Sequence, residues 1–344
     1  MSSTSPIILS IESSCDDTSA AVLKGKQLLS NVTADQKVHK AYGGVVPELA
    51  SRAHQQNIIP VVEQALKLAN INKDAIDAVA FTCGPGLLGS LLVGTSFAKS
   101  FAMARNIPLI EVNHMRGHIL AHFIEDEHHL PKPSFPFLCL TVSGGHTQIV
   151  KVSSPSEFKI IGQTIDDAAG EAFDKIAKII GLPYPGGPLI DKNAQEGNPK
   201  RFEFTHPKVG EFDYSFSGLK TGVLYFLQKE IKNNPDFIKE NLADICASVQ
   251  HNIVSILIKT YKKAAKAEGI TQLAIAGGVS ANSGLRKALK DLEVTNGYKT
   301  FIPPFSYCTD NAAMIGIAGY YKFLENDFAP YTISPKARLT INSL

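Results

Sequence analysis

The first part of the chain alternates between short apolar runs and polar turns. The apolar run 7–11 (IILSI) is followed by the polar stretch ESSCDDT and then by a second apolar run, 19–23 (SAAVL). This pattern predicts a β-hairpin, because two strand-length apolar runs flank one turn. The turn is rich in side chains that could do chemistry, namely Glu12, Ser13, Ser14, Asp16 and Asp17.

The same pattern recurs about 130 residues later. The run 137–142 (FLCLTV) precedes a short turn, SGGH, and a second run, 147–152 (TQIVKV). Two hairpins with functional groups in their turns indicate an internal duplication.

Further apolar runs and helical periodicity complete the pattern. Strands are predicted at 78–82, 108–112 and at the start of 273–289, where a glycine-rich turn and a helix follow. Helices are predicted at 47–69, 89–104, 168–180, 242–268 and 309–324. Strands that alternate with helices are typical of an α/β protein rather than an all-β one.

The composition changes abruptly at residues 125–136 (EDEHHLPKPSFP), where charge, histidine and proline replace the apolar periodicity. A length of 344 residues also favours about two domains. We therefore predict an amino-terminal lobe over 1–130, a carboxy-terminal lobe over 131–308, and a returning helix and tail over 309–344.

Composition excludes several classes of protein. The chain is 44% apolar and 19% charged, which is a globular balance, and 34 basic against 32 acidic residues leave a charge of +2, too small for a strongly basic nucleic-acid coat. Five isolated cysteines favour neither a zinc ribbon nor a disulfide framework. The amino terminus lacks the pattern of a signal peptide, and no apolar run reaches the ~20 residues of a membrane span. We expect a soluble, cytoplasmic protein with no membrane contact.

The stretch NHMRGH (113–118) is the sharpest candidate for chemistry, with Asn113 as the helix N-cap. His114 and His118 are four residues apart on one helical face, a spacing that suits two imidazole ligands of one metal ion. His122 extends the row, so a solvated polar face is the alternative. Met115 stands where zinc proteases need a glutamate base, which disfavours peptide hydrolysis. Asp310, at the start of the last helix, is a candidate third ligand, and a helix N-cap is its alternative role.

Two glycine turns lie at the ends of predicted strands. Ser143–Gly145 and Gly277–Gly278 would let backbone N–H groups approach a phosphate, although such pairs also occur simply to form tight turns. Asp166 and Asp167 are predicted as caps of the helix that follows them, and Asp174 as a surface carboxylate. The stretch SFSGLK (215–220) fits either an anion-binding turn or a helix start.

Taken together, these stretches resemble the family of TsaD-type tRNA threonylcarbamoyltransferases, formerly called the glycoprotease family, from about Ile7 to Leu324. The matching stretches are IESSCDDTSAA, YGGVVPELASRAH, GPGLLGSLLVGTSFAK, NHMRGH, VSGGHTQ, DDAAGEAFDKIAKIIGLPYPGGP, SFSGLKT, AGGVSAN and CTDNAAMI. Arg116 departs from the pattern, since many bacterial relatives have glutamate in this helix. Both histidines are unaffected, so the departure concerns a neighbouring contact.

The resemblance implies a two-lobed actin- and heat-shock-like ATPase (ASKHA) fold with duplicated subdomains and a nucleotide cleft between the lobes. It implies one divalent metal, Fe²⁺ in most members and Zn²⁺ in some, held by His114, His118 and Asp310. It also implies an adenylate site formed by Thr141, Val142, Ser143, Gly144, Gly145, Asp174, Gly187, Asp191 and Asn282.

The activity implied is transfer of the threonylcarbamoyl group from threonylcarbamoyl-AMP to N6 of adenosine 37 in tRNAs that read codons beginning with adenine, with release of AMP. A TsaB-like paralogous partner on the amino-terminal lobe and a TsaE-like ATPase are the implied partners. Two alternatives remain open from the residues, an ATP-driven kinase or ATPase on the same fold and the older metalloprotease interpretation. No general base is identified, and no covalent serine or cysteine intermediate is required.

Overall fold

The structure, a computed structural model, describes residues 5–36, 42, 44–204 and 209–343. Within these residues the strands are β1 (Ile7–Glu12), β2 (Thr18–Lys24), β3 (Gln27–Ala34), β4 (Ala78–Gly84), β5 (Leu109–Asn113), β6 (Phe137–Val142), β7 (Thr147–Val152), β8 (Phe158–Gln163), β9 (Gln272–Ala276) and β10 (Lys299–Phe301). The α-helices are α1 (Pro47–Ala69), α2 (Leu88–Arg105), α3 (His114–Leu120), α4 (Ala169–Ile179), α5 (Gly186–Ala194), α6 (Ser217–Asn233), α7 (Phe237–Glu240), α8 (Leu242–Glu268), α9 (Ser283–Asn296) and α10 (Ala312–Leu324).

The strands form two five-stranded sheets with the same topology. The first has the order β3-β2-β1-β4-β5, and the second has the order β8-β7-β6-β9-β10. In both sheets the two strands of the predicted hairpin are antiparallel. The pairs β1–β4, β4–β5, β6–β9 and β9–β10 are parallel. The hairpin registers run from Ile7↔Lys24 to Glu12↔Ser19 and from Phe137↔Val152 to Val142↔Thr147. Both predicted hairpins and the duplication are therefore confirmed.

The chain divides into two compact units, each built on one sheet. Unit 1 comprises 1–133, 153–158 and 303–344, and unit 2 comprises 134–152 and 159–302. The chain passes from unit 1 to unit 2 after residue 133 and returns to unit 1 after residue 302, close to the predicted bounds. Residues 153–158, which run from the end of β7 to the start of β8, are an additional part of unit 1. Of the predicted segments, residues 1–4, 37–41, 43, 205–208 and 344 lie outside the described residues, and Gly43 belongs to the stretch YGGVVPELASRAH.

In unit 1 the sheet is covered on both faces. Leu9 of β1 belongs to a buried cluster with Ile58 of α1 and Ala98 of α2. Ser10, the next residue, points to the other face, where its hydroxyl donates to the carbonyl of Ala312 in α10 (2.7 Å). Successive strand residues face opposite sides of a sheet, so burial of both faces explains why β1 reads as a continuous apolar run.

In unit 2 the core lies between the second sheet and helices α4, α6 and α8. Leu140 of β6, Phe173 of α4 and Leu257 of α8 belong to one buried cluster. The helix predicted over 168–180 is α4, and the one predicted over 242–268 is α8. Because these helices pack on the second sheet through this cluster, they fix the positions of the loops that follow β6 and β9.

The capping role predicted for Asp166 and Asp167 is wrong. The N-cap of α4 is Ala168, which makes no side-chain capping bond. The Asp166 carboxylate instead accepts hydrogen bonds from Ser215 Oγ and Phe216 N (2.8 Å), just before α6, and Asp167 pairs with Lys175 (2.8 Å). The stretch SFSGLK is thus a helix start, and it is stabilised by a carboxylate about 50 residues away.

No helix in the described part of the chain combines the length and the apolar character needed to cross a lipid bilayer.

Candidate functional site

The metal-binding candidates begin where β5 turns directly into α3. Asn113 ends the strand, and its Oδ1 accepts hydrogen bonds from the backbone N–H groups of Met115 (2.9 Å) and Arg116 (3.2 Å). The predicted N-cap is confirmed. Because the helix starts at residue 114, His114 and His118 lie one turn apart on the same face.

The two histidines converge on one carboxylate oxygen. Nε2 of His114 lies 3.3 Å and Nε2 of His118 lies 3.2 Å from Oδ1 of Asp310. The two ring centroids are 4.7 Å apart with the planes at 89°. His114 is 9% and His118 2% exposed, so the three side chains form a largely buried group in unit 1. Their potential ligand atoms all lie within 4.8 Å of one another.

The structure decides between the two roles considered for Asp310. Helix α10 begins at Ala312, and its N-cap is Asn311, whose Oδ1 accepts from the N–H of Met314 (3.0 Å). Asp310 therefore precedes the cap, and its carboxylate faces the histidines. The N-cap interpretation of Asp310 is wrong.

His122 does not belong to this group. After Leu120 the α-helix gives way to a 3-10 turn over Ala121–Phe123, which interrupts the helical row. Among the residues that the structure describes, only His114, His118 and Asp310 cluster in a way that could hold a metal ion.

A second carboxylate, that of Glu12 in the first hairpin, contacts the ring nitrogen of His114 that does not face Asp310. Oε2 of Glu12 lies 3.0 Å from Nδ1 of His114 and accepts a hydrogen bond from Thr82 Oγ1 (2.6 Å), while Oε1 accepts from the N–H of Ser14 (2.5 Å). Glu12 is fully buried. The sequence pattern placed Glu12 among functional groups without assigning this contact. An acidic residue that ends a buried strand was the available signal.

The charges of these groups depend on one another. Burial raises the pKa of Glu12, but the charge of His114 and its hydrogen bond outweigh burial, and the resulting pKa lies below the usual value. Burial lowers the pKa of His114, while Asp310 and Glu12 together raise it well above the usual value. The pKa of Asp310 is lowered by both histidines against the opposing effect of burial. The protonated form of His114 is thus stabilised between the carboxylates of Asp310 and Glu12.

The donor set fits a divalent transition metal. Two imidazole nitrogens and one carboxylate oxygen suit Fe²⁺ or Zn²⁺ and leave coordination positions open. A carboxylate on the other ring nitrogen, as Glu12 provides, is the outer-sphere partner that orients metal-bound histidines. Nδ1 of His118 is buried and has no hydrogen-bond partner within the described part of the chain, so this ring is held through Nε2.

In unit 2, the predicted Ser143–Gly145 turn joins β6 to β7. Ser143 Oγ accepts from the N–H groups of Gly145 (3.3 Å) and His146 (3.0 Å). A Cβ added at Gly144 or Gly145 would meet no atom within 4 Å, so this turn is open. Thr141 and Val142 end the buried strand, and the hydroxyl of Thr141 donates to the carbonyl of Gln148 (3.3 Å).

Two other glycines bring neighbouring loops against this turn. Gly277 has φ +88°, and a Cβ there would lie 2.6 Å from the carbonyl oxygen of Val142. Gly170, in the first turn of α4, would place a Cβ 2.6 Å from the carbonyl oxygen of Ser143. Only glycine permits such approaches, so the turn after β9 and the start of α4 both contact the end of β6.

Side-chain hydrogen bonds link the remaining predicted residues. Oδ1 of Asp174 accepts from the N–H groups of Gly186 (2.8 Å) and Gly187 (3.1 Å), so this carboxylate is not the free surface group that was predicted. Asp191 accepts from the N–H (3.0 Å) and the hydroxyl (2.6 Å) of Ser283 at the start of α9.

Asn282 is the N-cap of α9. Its Oδ1 accepts from the N–H of Leu285 (2.9 Å), and its Nδ2 donates to Gln250 Oε1 (2.7 Å). With the contacts above, the loops form a closed ring. The turn 142–145 contacts Gly277, and the segment after Gly277 leads into α9. Helix α9 contacts α5, α5 contacts α4, and α4 contacts Ser143. These contacts link the predicted residues of unit 2 through one set of neighbouring loops, which includes the open glycine turn. We call this arrangement the loop ring.

Comparisons with known proteins agree with this architecture. The family model described as "TsaD: tRNA N6-adenosine threonylcarbamoyltransferase" matches residues 27–317. A protein of Christiangramia forsetii with that enzyme name is 66% identical over 331 residues, covering 96% of this chain and 97% of that protein. Another, from Porphyromonas gingivalis, is 60% identical over 339 residues, covering 97% and 98%.

Solved structures show the fold. Full-length HypF, in a form described as phosphate- and nucleotide-bound, aligns with a TM-score of 0.61 at 16% identity, over 95% of this chain and 48% of that one. Component A of the (R)-2-hydroxyglutaryl-CoA dehydratase of Acidaminococcus fermentans aligns with a TM-score of 0.51 at 17% identity, over 92% and 99%. The predicted actin-like α/β fold with two duplicated sheets is confirmed.

Proposed function

The chain belongs to the TsaD family of tRNA N6-adenosine threonylcarbamoyltransferases, and on this premise we propose that it transfers a threonylcarbamoyl group to N6 of adenosine 37 in tRNAs that read codons beginning with adenine. The donor in this proposal is threonylcarbamoyl-AMP, and AMP is the leaving group. The observation that carries the proposal is the convergence of His114, His118 and Asp310 in a chain of this family.

We propose that these three residues hold one divalent metal, Fe²⁺ in preference to Zn²⁺. When bound, such an ion supplies Lewis-acid polarisation of a carbonyl. With an ion bound, the neutral imidazole of His114 would keep its proton on Nδ1, next to Oε2 of Glu12, and Nε2 would be the ligand atom. Met115, where a metalloprotease of the His-Glu-x-x-His type needs its base, is an apolar side chain only 2% exposed. This supports acyl transfer over peptide hydrolysis.

The donor's adenylate would bind the loop ring of unit 2. The open turn at Gly144 and Gly145 can bring backbone N–H groups to the phosphate. Asp174 and Asp191 hold the starts of α5 and α9 in place and, with Asn282, offer polar groups near the adenosine. Their contribution is mainly positional.

The acceptor amine needs positioning more than activation by a covalent group. The lone pair of adenine N6 is delocalised into the ring, so this amine is a weak nucleophile. The donor is a mixed anhydride, which is already electrophilic and has a good leaving group. Alignment of the two reactants and polarisation of the donor carbonyl account for catalysis without a serine or cysteine nucleophile.

A partner protein is part of the proposal. With a net charge of +2 the chain lacks the charge for strong, salt-sensitive RNA affinity on its own. Helices α1 and α2 expose large apolar side chains, Ile59, Leu88, Leu92 and Met103. We propose that a TsaB-like paralogue covers this face, that a TsaE-like ATPase resets the complex, and that the reaction takes place in the cytoplasm, where tRNA is available.

Reconstitution tests the activity. The chain with its partner, synthetic threonylcarbamoyl-AMP and an unmodified tRNA transcript should yield threonylcarbamoyladenosine at position 37, detected by nucleoside mass spectrometry. His114→Ala should give none, whereas the matched control His122→Ala should retain activity. Phosphorylated product formed from ATP without donor would favour a kinase instead. Persistence of the modification in cells depleted of the protein would contradict the proposal.

A further inference from the structure

The last part of unit 1, residues 329–341, lies along the sheet that carries the metal centre, and we call it the C-terminal strap. It contains neither an α-helix nor a β-strand. Leu339 and Ile341 are nevertheless only 7% and 2% exposed. The position of the strap is therefore set by its contacts with the rest of unit 1.

Hydrogen bonds tie the first part of the strap to β4, β5 and α2. The beginning of this part is hydrogen-bonded to backbone groups of β5, and its end is hydrogen-bonded to backbone groups of β4. The pairs are Ala329 N to Leu109 O (2.8 Å), Tyr331 OH to Ile107 O (3.2 Å), Lys99 Nζ to Ile333 O, Lys336 N to Cys83 O (2.8 Å) and Gly86 N to Ala337 O (3.1 Å). A segment bound at so many points is a fixed structural element rather than a loose tail.

The approach of the strap to β4 requires glycine. Gly84, the last residue of β4, has φ +152°, and a Cβ there would lie 2.0 Å from the carbonyl oxygen of Lys336. Any side chain at residue 84 would displace the strap. The strand end and the strap are thus in direct backbone contact.

The second part of the strap reaches the helix that carries the histidines. Nδ2 of Asn113 donates to the carbonyl of Thr340 (3.0 Å), while Oδ1 of the same amide caps α3 through Met115 N and Arg116 N. One side chain therefore joins the strap to the first turn of α3, directly before His114.

Arg116 makes the second connection. Its Nε donates to the carbonyl of Ile341 (2.7 Å), and its guanidinium lies 4.8 Å from the centroid of the Phe158 ring. Burial lowers the pKa of Arg116, and the nearby Asp327 raises it, but an arginine remains charged at neutral pH. The side chain thus holds α3 to the strap and to Phe158 at the start of β8.

These contacts matter because α3, although it packs against α10, is a short helix whose position depends on its surroundings. It is seven residues long, too short to be stable alone. The ring of His118 is held only through Nε2, since Nδ1 has no partner among the described residues. The distances from both histidines to Asp310 consequently depend on where α3 is fixed.

We propose that the C-terminal strap positions α3, and that Asn113 and Arg116 are positioning residues that set the affinity of the His114–His118–Asp310 centre for a divalent cation. The inference rests on the metal centre proposed above. A ligand constellation must be held within about 0.5 Å of its productive geometry, and outer contacts supply that restraint. Neither residue is a ligand, and both would act through the helix.

Zn²⁺ affinity of the purified full chain, measured by competition with a chromophoric chelator, tests the proposal. Arg116→Ala and Asn113→Asp should each weaken binding about 10-fold, the lower end of the effect of removing outer-sphere contacts. Asn113→Asp retains an acceptor for the helix cap but replaces the donor to Thr340 by an oxygen. Arg52→Ala, which removes only an exposed pair with Glu48, is the matched control and should leave the affinity unchanged.

A double-mutant comparison identifies the route. In a chain truncated after Pro335, Arg116→Ala should cause a much smaller further loss of Zn²⁺ affinity than in the full chain, because the hydrogen-bond acceptor at Ile341 is gone and only the contact with Phe158 remains. An equal loss in both backgrounds would show that Arg116 acts without the strap and would overturn the proposal. Unchanged affinity in the full-length variant would overturn it too.

Hydrogen exchange separates this inference from the metal centre itself and remains available if the truncated chain does not fold. Without metal, the amide of Lys336, which donates to Cys83, should exchange at least several-fold faster in Arg116→Ala than in the natural chain, and at the same rate in Arg52→Ala. If the natural chain bound no Zn²⁺, the metal centre would be wrong, while faster exchange would still show that Arg116 holds the strap. Unchanged exchange would overturn that role.

Discussion

Nδ1 of His114 lies 3.0 Å from Oε2 of Glu12, a residue 102 positions earlier in the chain. The contact joins the turn of the first hairpin to the helix that carries both histidines. Thr82 Oγ1, at the end of β4, donates to the same carboxylate oxygen (2.6 Å). Side chains of β1 and β4 thus hold one imidazole at the start of α3, and several predictions depend on this arrangement.

Removing a ligand should remove the metal. His114→Ala is expected to abolish stoichiometric Fe²⁺ or Zn²⁺ and the transferase activity while leaving the fold intact, because two ligands do not hold the ion. Elemental analysis and circular dichroism of the purified variant provide the measurement. The control is His122→Ala, since His122 lies outside the ligand group. Full metal occupancy in His114→Ala would contradict the assignment.

Removing the support of His114 should weaken metal binding without abolishing it. Glu12→Gln keeps the shape of the side chain but loses the negative charge that orients the ring, and outer-sphere carboxylates of this kind contribute about 10–100-fold in affinity. Chelator competition measures the loss. Asp77→Asn is a suitable control because its carboxylate also binds the first strand, at Ile7 N (2.7 Å), but touches no histidine. Equal affinities for Glu12→Gln and the natural chain would exclude the role.

The hairpin turn should make the metal-free protein sensitive to pH. Burial raises the pKa of Asp17 to about 7, and the charges of Asp16 and Asp310 act in the same direction. Since the folded-state pKa is above the unfolded value of about 4, the stability contribution is complete below pH 4 and is lost as the pH rises through about 7. Asp17→Asn cannot ionise, so its Tm advantage over the natural chain should grow between pH 4 and pH 8. A Tm difference independent of pH would count against this.

Asp166 should contribute to stability through α6. Asp166→Ala removes the acceptor for Ser215 Oγ and Phe216 N at the helix start, which should lower the free energy of unfolding by about 1 kcal/mol, a typical effect of losing a cap. Urea unfolding gives the value. Asp236→Ala, at the N-cap of α7 where no side-chain capping bond is made, should change it by less than about 0.5 kcal/mol. Similar effects of the two substitutions would refute the long-range cap.

The local pattern of the sequence predicted those elements whose apolar residues are consecutive or periodic. Both hairpins, α1 and α8 could be predicted because each carries its own signal. Strand β3 could not, since its side chains are mostly partly exposed and only Ser30 is buried, as is usual for an edge strand. Helix α5 was not predicted, because the glycines and prolines at 184–188, where the helix begins, are typical of a turn.

The candidate site was predictable to a different extent. The spacing of His114 and His118 predicted a shared face, but it could not decide whether Asp310 was a ligand or a cap. The answer depends on Asn311 being the N-cap of α10, which the sequence pattern did not reveal. The contacts of Glu12, Asp166 and Arg116 span 49 to 225 positions, and no local pattern encodes contacts over such separations.

The last prediction concerns the energy source of the transfer. If the loop ring binds preformed threonylcarbamoyl-AMP, the anhydride already carries the free energy of the reaction, and ATP should not be consumed in the transfer step. Chain and partner given synthetic donor and unmodified tRNA, but no ATP, should complete at least one turnover and release one AMP per modified adenosine. Sustained cycling would still require the ATPase partner.

Two variants separate the contributions of the two units to that reaction. Asn282→Ala loses the cap of α9 and the bond to Gln250, so it should raise the donor concentration needed for half-maximal single-turnover rate while leaving metal content unchanged. Asp310→Ala should lose the metal and the rate at every donor concentration. If the natural chain forms no modified adenosine from supplied donor without ATP, even in a single turnover, the donor must be made or activated on the enzyme, and the mechanism proposed here is wrong.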